Sequence, residues 1–213
     1  MPSSRFRPVL IGALYLLAWY GLDVVSQQFA VTPEVTVWYP AVALDVVLLL
    51  VCGLRYWPLL ILSRLVHTFL VMEPLPALPL LGYIAATVAA TTAGAYLLLR
   101  PLYIDPRLPH LRDVALFVAV AMLGTPLAML GTPLAMSALQ VLNLTVAGLL
   151  PPGEGLTRTL QLWAGSATGV GLLAPPLLLL LGRWPGLWSS APALAPGPAA
   201  GNPAQIGGLA QGP

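Results

Sequence analysis

Seven acids, nine basic residues (all arginine), two histidines, seven tyrosines and one cysteine are the ionisable stock of this 213-residue chain. Most of the charges stand at the ends of apolar runs, but Asp23, Asp45, Arg64 and His67 stand inside them. An ionisable group within an apolar helix is costly, so each points to a pairing or a function. Asp45 and Arg64 match best. The turn between the runs that carry them centres near Leu54 and Arg55, about ten residues after Asp45 and about nine before Arg64. At about 1.5 Å per helical residue both lie roughly 14 Å from that turn, so they can face one another across a helical hairpin. Such a pair either answers to a ligand or a proton, or fixes helix register, which is the commoner use of a buried ion pair. His67 follows Arg64 by three residues and shares its helical face. Titration there would make the cluster sensitive to pH, against the commoner fate of bonding a neighbour's hydroxyl or carbonyl. Asp23 gains no partner from this arithmetic and stays unassigned.

Further along, Gln140, Asn143 and Thr145 make the end of a long apolar run polar, which suits a cavity or interhelical hydrogen bonds. Gly165-Ser166-Ala167-Thr168-Gly169 places two glycines and two hydroxyls in one helix. Its common use is a small-residue packing face, and its rarer one the lining of a polar pocket. Asp45, Arg64, His67, Gln140, Asn143, Ser166 and Thr168 are therefore the ligand-binding or signal-sensing candidates. A haem held by two histidines is excluded because the second histidine, His110, falls in a loop. His110 also lacks the helical hairpin and nucleotide-binding glycines of a kinase phosphoacceptor. Cys52 stands alone, so neither a disulfide framework nor a cysteine metal cluster is available. No spacing fits a catalytic dyad, triad or metal site, and the expectation is a non-enzyme without cofactor.

The elements that position these residues follow from composition. The chain is 58% hydrophobic and 8% charged, against about a quarter charged in soluble domains, which excludes a soluble globular enzyme. A net charge of +2 spread this thinly offers no basic face for nucleic acid. Apolar runs at 8–26, 38–54, 57–72, 79–99, 114–150 and 156–181 predict an all-α, polytopic membrane protein. The first run follows Arg5 and Arg7 without a usual cleavage site, so it is expected to be a retained helix. Arginine-bearing loops fall on one side and Glu34, Glu73 and Glu154 on the other, with Arg158 the exception. By the positive-inside rule both termini are then cytoplasmic and the crossings even in number. The run 114–150 is too long for one crossing and short for two. It contains a tandem repeat, Ala-Met-Leu-Gly-Thr-Pro-Leu at 121–127 and again at 128–134. Seven residues are nearly two turns, so the duplication barely rotates the helical face but doubles a Gly-Thr-Pro break. Six crossings with a broken element around 121–136 are expected, with seven as the alternative. The membrane domain covers 1–183; the uncharged Pro/Ala/Gly-rich segment 184–213 has too little to bury and is expected to be disordered.

Thr36-Val-Trp-Tyr-Pro-Ala41 followed by Gly53-Leu-Arg-Tyr-Trp-Pro58 resembles the bacterial membrane-associated sensor domain of the first type. Leu97-Leu-Leu-Arg-Pro101, Leu111-Arg-Asp-Val114, Trp163-Ala-Gly-Ser-Ala-Thr-Gly169 and Leu173-Ala-Pro-Pro-Leu177 fall in the order of that family. The resemblance covers roughly residues 8–182. It implies an input module at the bacterial inner membrane, of the kind that serves sensor histidine kinases, diguanylate cyclases and phosphodiesterases. Val42 stands where the family has glycine, and Ser166 where it has an acid, so a signal held by that carboxylate in relatives would lose its ligand here. The family's later helices and an output domain are missing from the sequence, which implies a shortened chain or a stand-alone subunit. Its partners would be the lipid bilayer and a separate histidine kinase, cyclase or transporter-like protein, with a homodimer also open. A small-solute binding or transport subunit, and an accessory subunit of a larger complex, are the competing expectations.

Overall fold

In a computed structural model the structure describes residues 6–32, 35–36, 38–70, 76–100, 104–105, 107–108, 110–122, 133–146, 148, 150–151 and 153–183. Seven helices lie among them: α1 (Phe6–Gln27), α2 (Ala41–Cys52), α3 (Trp57–Leu70), α4 (Ala77–Leu99), α5 (Leu111–Met122), α6 (Pro133–Val146) and α7 (Gly155–Gly182). One addition to the all-α expectation is a small antiparallel hairpin between α1 and α2, β1 (Ala30–Thr32) on β2 (Val35–Thr36), pairing Ala30 with Thr36 and Thr32 with Val35.

The helix ends fall where backbone chemistry dictates. Pro40 opens α2, and Gly53 closes it at φ 93°, a left-handed conformation that glycine adopts without a Cβ penalty. The Gly53 amide then donates to the Leu49 carbonyl at 3.1 Å, and a single 3-10 turn over Leu54–Tyr56 leads into α3. The expected run 114–150 is occupied by two helices, α5 and α6, the second starting at the proline of the second Gly-Thr-Pro. Proline suits a first helical position because its missing N–H would be unpaired there anyway. The centre of the repeat, like the tail 184–213, lies outside the described residues.

Three helices are long and apolar enough to cross a membrane: Pro8–Gln27, Ala77–Leu99 and Gly155–Gly182. Ala41–Cys52 and Ser137–Val146 are shorter apolar helices. Twelve residues rise only about 18 Å against a hydrocarbon core of about 30 Å, so α2 cannot reach both surfaces as a straight helix. It is the central element instead. Ten of its residues are buried, Asp45 included, as expected of a helix apolar on all sides and packed against α1, α4 and α7.

Around it, α1 and α3 reverse the polarity of soluble amphipathic helices. On α1, Gly12, Tyr15, Trp19, Asp23 and Ser26 are buried at helical spacing, whereas Leu10, Leu14, Leu17 and Val25 face outward. On α3 the buried face is Leu60, Ser63, Arg64, His67 and Thr68, and Leu62, Phe69 and Leu70 point out. Polar groups turned inward and apolar ones outward is the arrangement a lipid environment requires.

Candidate functional site

The inward faces of α1 and α3 meet the middle of α2, and their polar side chains form one connected network. Arg64 Nη2 donates to Asp45 Oδ2 in a direct ion pair, with both side chains fully buried. The Tyr15 hydroxyl donates to the other oxygen, Asp45 Oδ1, at 2.6 Å and lies 3.2 Å from Ser63 Oγ. Ser63 in turn donates to the Leu60 carbonyl at 2.9 Å, so its oxygen is held in place. The depth arithmetic that set Asp45 against Arg64 thus describes a real contact.

His67 finds a partner that sequence spacing did not supply. Its Nδ1 lies 2.7 Å from Asp23 Oδ2, and Asp23 is fully buried. Neither a hydroxyl nor a carbonyl satisfies this imidazole nitrogen; a carboxylate from α1 does. Tyr39, just before α2, links the two pairs: its hydroxyl donates to Asp23 Oδ1 at 3.0 Å and receives Arg64 Nη1 at 3.5 Å. Trp19 closes the space between them. The Arg64 guanidinium carbon stands 5.0 Å from the Trp19 ring centre, and His67 meets the same ring edge-on at 6.0 Å. A desolvated cation over an aromatic face is worth about 2 kcal/mol. Arg64 Nε is buried without an acceptor, whereas Trp19 interacts with the Asp45 carboxylate.

The last helix fixes Tyr39. Its amide donates to the Gly165 carbonyl at 3.0 Å, and a Cβ at Gly169 would come within 2.6 Å of the Tyr39 carbonyl carbon. Glycine at 169 is therefore what lets α7 lie against the 39–40 backbone.

A family model, MASE1, matches residues 8–196. The chain belongs to the MASE1 family. MASE1 is a membrane-associated sensor domain found in histidine kinases and diguanylate cyclases, so this is a membrane protein and a sensory input domain. Comparison with curated proteins and with solved structures gave no match.

The remaining candidates in this MASE1 chain lie apart from the network. Thr168 Oγ1 donates to the Ala164 and Gly165 carbonyls of its own helix at 2.7 and 3.1 Å, and Ser166 is buried beside the Gly165–Gly169 packing face. Asn143 Nδ2 ties α6 to the Pro79 carbonyl of α4 at 2.8 Å, in a space that a Cβ at Gly82 would close. Gln140 is half-buried on α6, which packs on α4 and α7. Sequence reasoning missed Tyr15, Trp19, Asp23 and Tyr39. The signal was present for three of them: Tyr15, Trp19 and Asp23 recur every four residues, a polar stripe on one helical face.

Proposed function

We propose that the buried network is where this sensor domain receives its signal, and that Tyr39 and α7 relay it to a cytoplasmic output partner, a histidine kinase, a cyclase or a transporter-like protein. In this reading the domain lies in the bacterial inner membrane with both termini on the cytoplasmic side. The observation that carries the reading is continuity. A change of charge at Asp45, Arg64, Asp23 or His67 alters the bonds of the Tyr39 hydroxyl, and the Tyr39 backbone rests on Gly165 and Gly169. Packed elements of this kind shift between discrete arrangements rather than deform continuously, which suits them to relay.

A diguanylate cyclase domain joined after Pro213 tests it, because GTP reaches the cyclase only if that end is cytoplasmic. The fusion is expected to make cyclic di-GMP in cells. At equal membrane abundance Tyr39→Phe and Arg64→Gln should each change that output at least about threefold, as loss of roughly 0.7 kcal/mol of bias would. An inactive cyclase would overturn the orientation. Output that is the same in the parent and both variants would overturn the relay. Should Arg64→Gln fail to accumulate, Tyr39→Phe, which removes one hydroxyl, carries the comparison.

A further inference from the structure

Charge balance around Tyr39 bears on what the site receives. The network holds two carboxylates, Asp23 and Asp45, one guanidinium that stays charged, Arg64, and one imidazole, His67. Arg64 contacts Asp45 directly and reaches Asp23 only through the Tyr39 hydroxyl. With His67 neutral and both acids ionised, one negative charge is left at Asp23, in a position with no solvent exposure. An uncompensated buried charge costs several kcal/mol, and proteins relieve such a cost by binding a proton.

From this geometry we infer that the site's ligand is a proton, shared by Asp23 and His67 across their 2.7 Å contact. The inference rests on the signal-receiving role proposed above and names its chemistry. A proton makes the four-residue network electrically neutral, whichever of the two side chains carries it. An organic anion would find one free donor, Arg64 Nε, but would add a second negative charge to a site that already has one in excess. A metal ion would need more ligands, since no group of three or more His, Cys, Asp or Glu gathers among the described residues. Asp23, Asp45 and Arg64 are sealed, whereas the His67 side chain keeps 9% exposure.

Each packed element presents a group to this pair. Asp23 comes from α1 and Tyr39 from the segment before α2. Asp45 and Arg64 come from α2 and α3, with Tyr15 of α1 bonded to Asp45. Tyr83 of α4 lies within electrostatic reach of Arg64, Asp23 and Asp45. The charged groups at the start of α7, Glu154 just before it and Arg158 in its first turn, pair with each other at 3.2 Å rather than with Asp23 or His67 in any described contact. Losing the proton leaves the Asp23 charge to Tyr39 and Arg64, the two groups able to turn toward it. Either movement disturbs the Asp45 pair or the Tyr39 contact with α7.

The test is solution-state or solid-state NMR of the full chain in lipid nanodiscs, labelled with 15N in histidine and 13C in aspartate. The chain has two histidines, so His67→Gln assigns the His67 ring signals, and Asp23→Asn assigns the Asp23 carboxyl. As the pH is varied over the range in which the protein stays folded, the His67 and Asp23 signals are expected to move together in one step. Each substitution should displace or abolish the other residue's step. Signals that stay constant over that range, or that move in two unrelated steps, would overturn the proton site. A shared step with cyclic di-GMP output insensitive to Tyr39→Phe would keep the proton site and remove the relay. No step, with output still dependent on Tyr39, would do the reverse.

Discussion

The two sides of α2 differ in their ionisable groups more than in their hydroxyls, since Ser26, Ser63 and Thr68 on the α1 and α3 side also bond back to their own helix. On the α1 and α3 side, Tyr15, Asp23, Tyr39, Asp45, Arg64 and His67 bond one another across elements. On the α4, α6 and α7 side, the hydroxyls of Thr87, Thr91, Thr145, Thr159 and Thr168 bond backward, each to the carbonyl four residues earlier in its own helix. Backward bonds satisfy a hydroxyl without telling one helix where its neighbour is. That side relies mainly on close approach, at Gly169 on Tyr39 and Gly82 on Asn143, with a bond from Asn143 Nδ2 to the Pro79 carbonyl joining α6 to α4. One region is responsive to charge and the other to shape, and Tyr39 touches both.

The contrast is broken most severely at the Asp45–Arg64 pair. Removing one partner of a fully buried pair costs about 3–5 kcal/mol, because the other charge is left uncompensated. Asp45→Asn and Arg64→Gln should each lower unfolding stability of the purified protein by that order. The double variant should be more stable than the sum of the two losses predicts. Strict additivity, measured by denaturant titration in detergent, would mean that the two residues act independently.

Shape is tested next. Gly169→Val would drive a side chain into the Tyr39 carbonyl, and overpacking of this kind costs about 1–3 kcal/mol. Gly21, in α1, has nothing within 4 Å of its virtual Cβ, so Gly21→Ala should be neutral or stabilise by up to about 1 kcal/mol through helix propensity. Equal effects at the two glycines would show that close approach is not what Gly169 provides.

How much of this was legible in the sequence depended on which regularity a residue obeyed. Asp45 and Arg64 were found because the intervening turn is marked by Gly53 and the helical rise is constant, so depth could be counted. The family was legible in its motif order, and the match over residues 8–196 runs past the stretch those motifs covered. Asp23 was not placed, because its partner sits two helices away and contact between α1 and α3 is a tertiary fact. Tyr39 stood within a recognised motif, yet its role depends on α7 folding back onto residues 39–40, more than a hundred positions distant. The run at 114–150 carries α5 and α6 on either side of residues outside the described ones, and length arithmetic alone could not place those two helices. Asn143 and Thr168 were singled out because polarity is visible in a sequence, while the acceptors they find, the Pro79 carbonyl and the Ala164 carbonyl, are not.

The smallest effect is expected where a hydroxyl bonds backward in a buried position. Thr91 is 6% exposed, and its Oγ1 donates to the Thr87 carbonyl at 2.8 Å. That carbonyl is also the acceptor for the Thr91 amide in the regular helical ladder, so Thr91→Val leaves no acceptor unpaired and fills nearly the same volume. The loss of unfolding stability should stay within about 0.5 kcal/mol, as for substitutions away from specific features. It should also add to the Arg64→Gln loss without coupling, because the hydroxyl reports only on its own helix. A loss above about 1.5 kcal/mol, or coupling to Arg64, would mean that Thr91 is tied to the polar network on the α3 side, and the division of labour about α2 would fail.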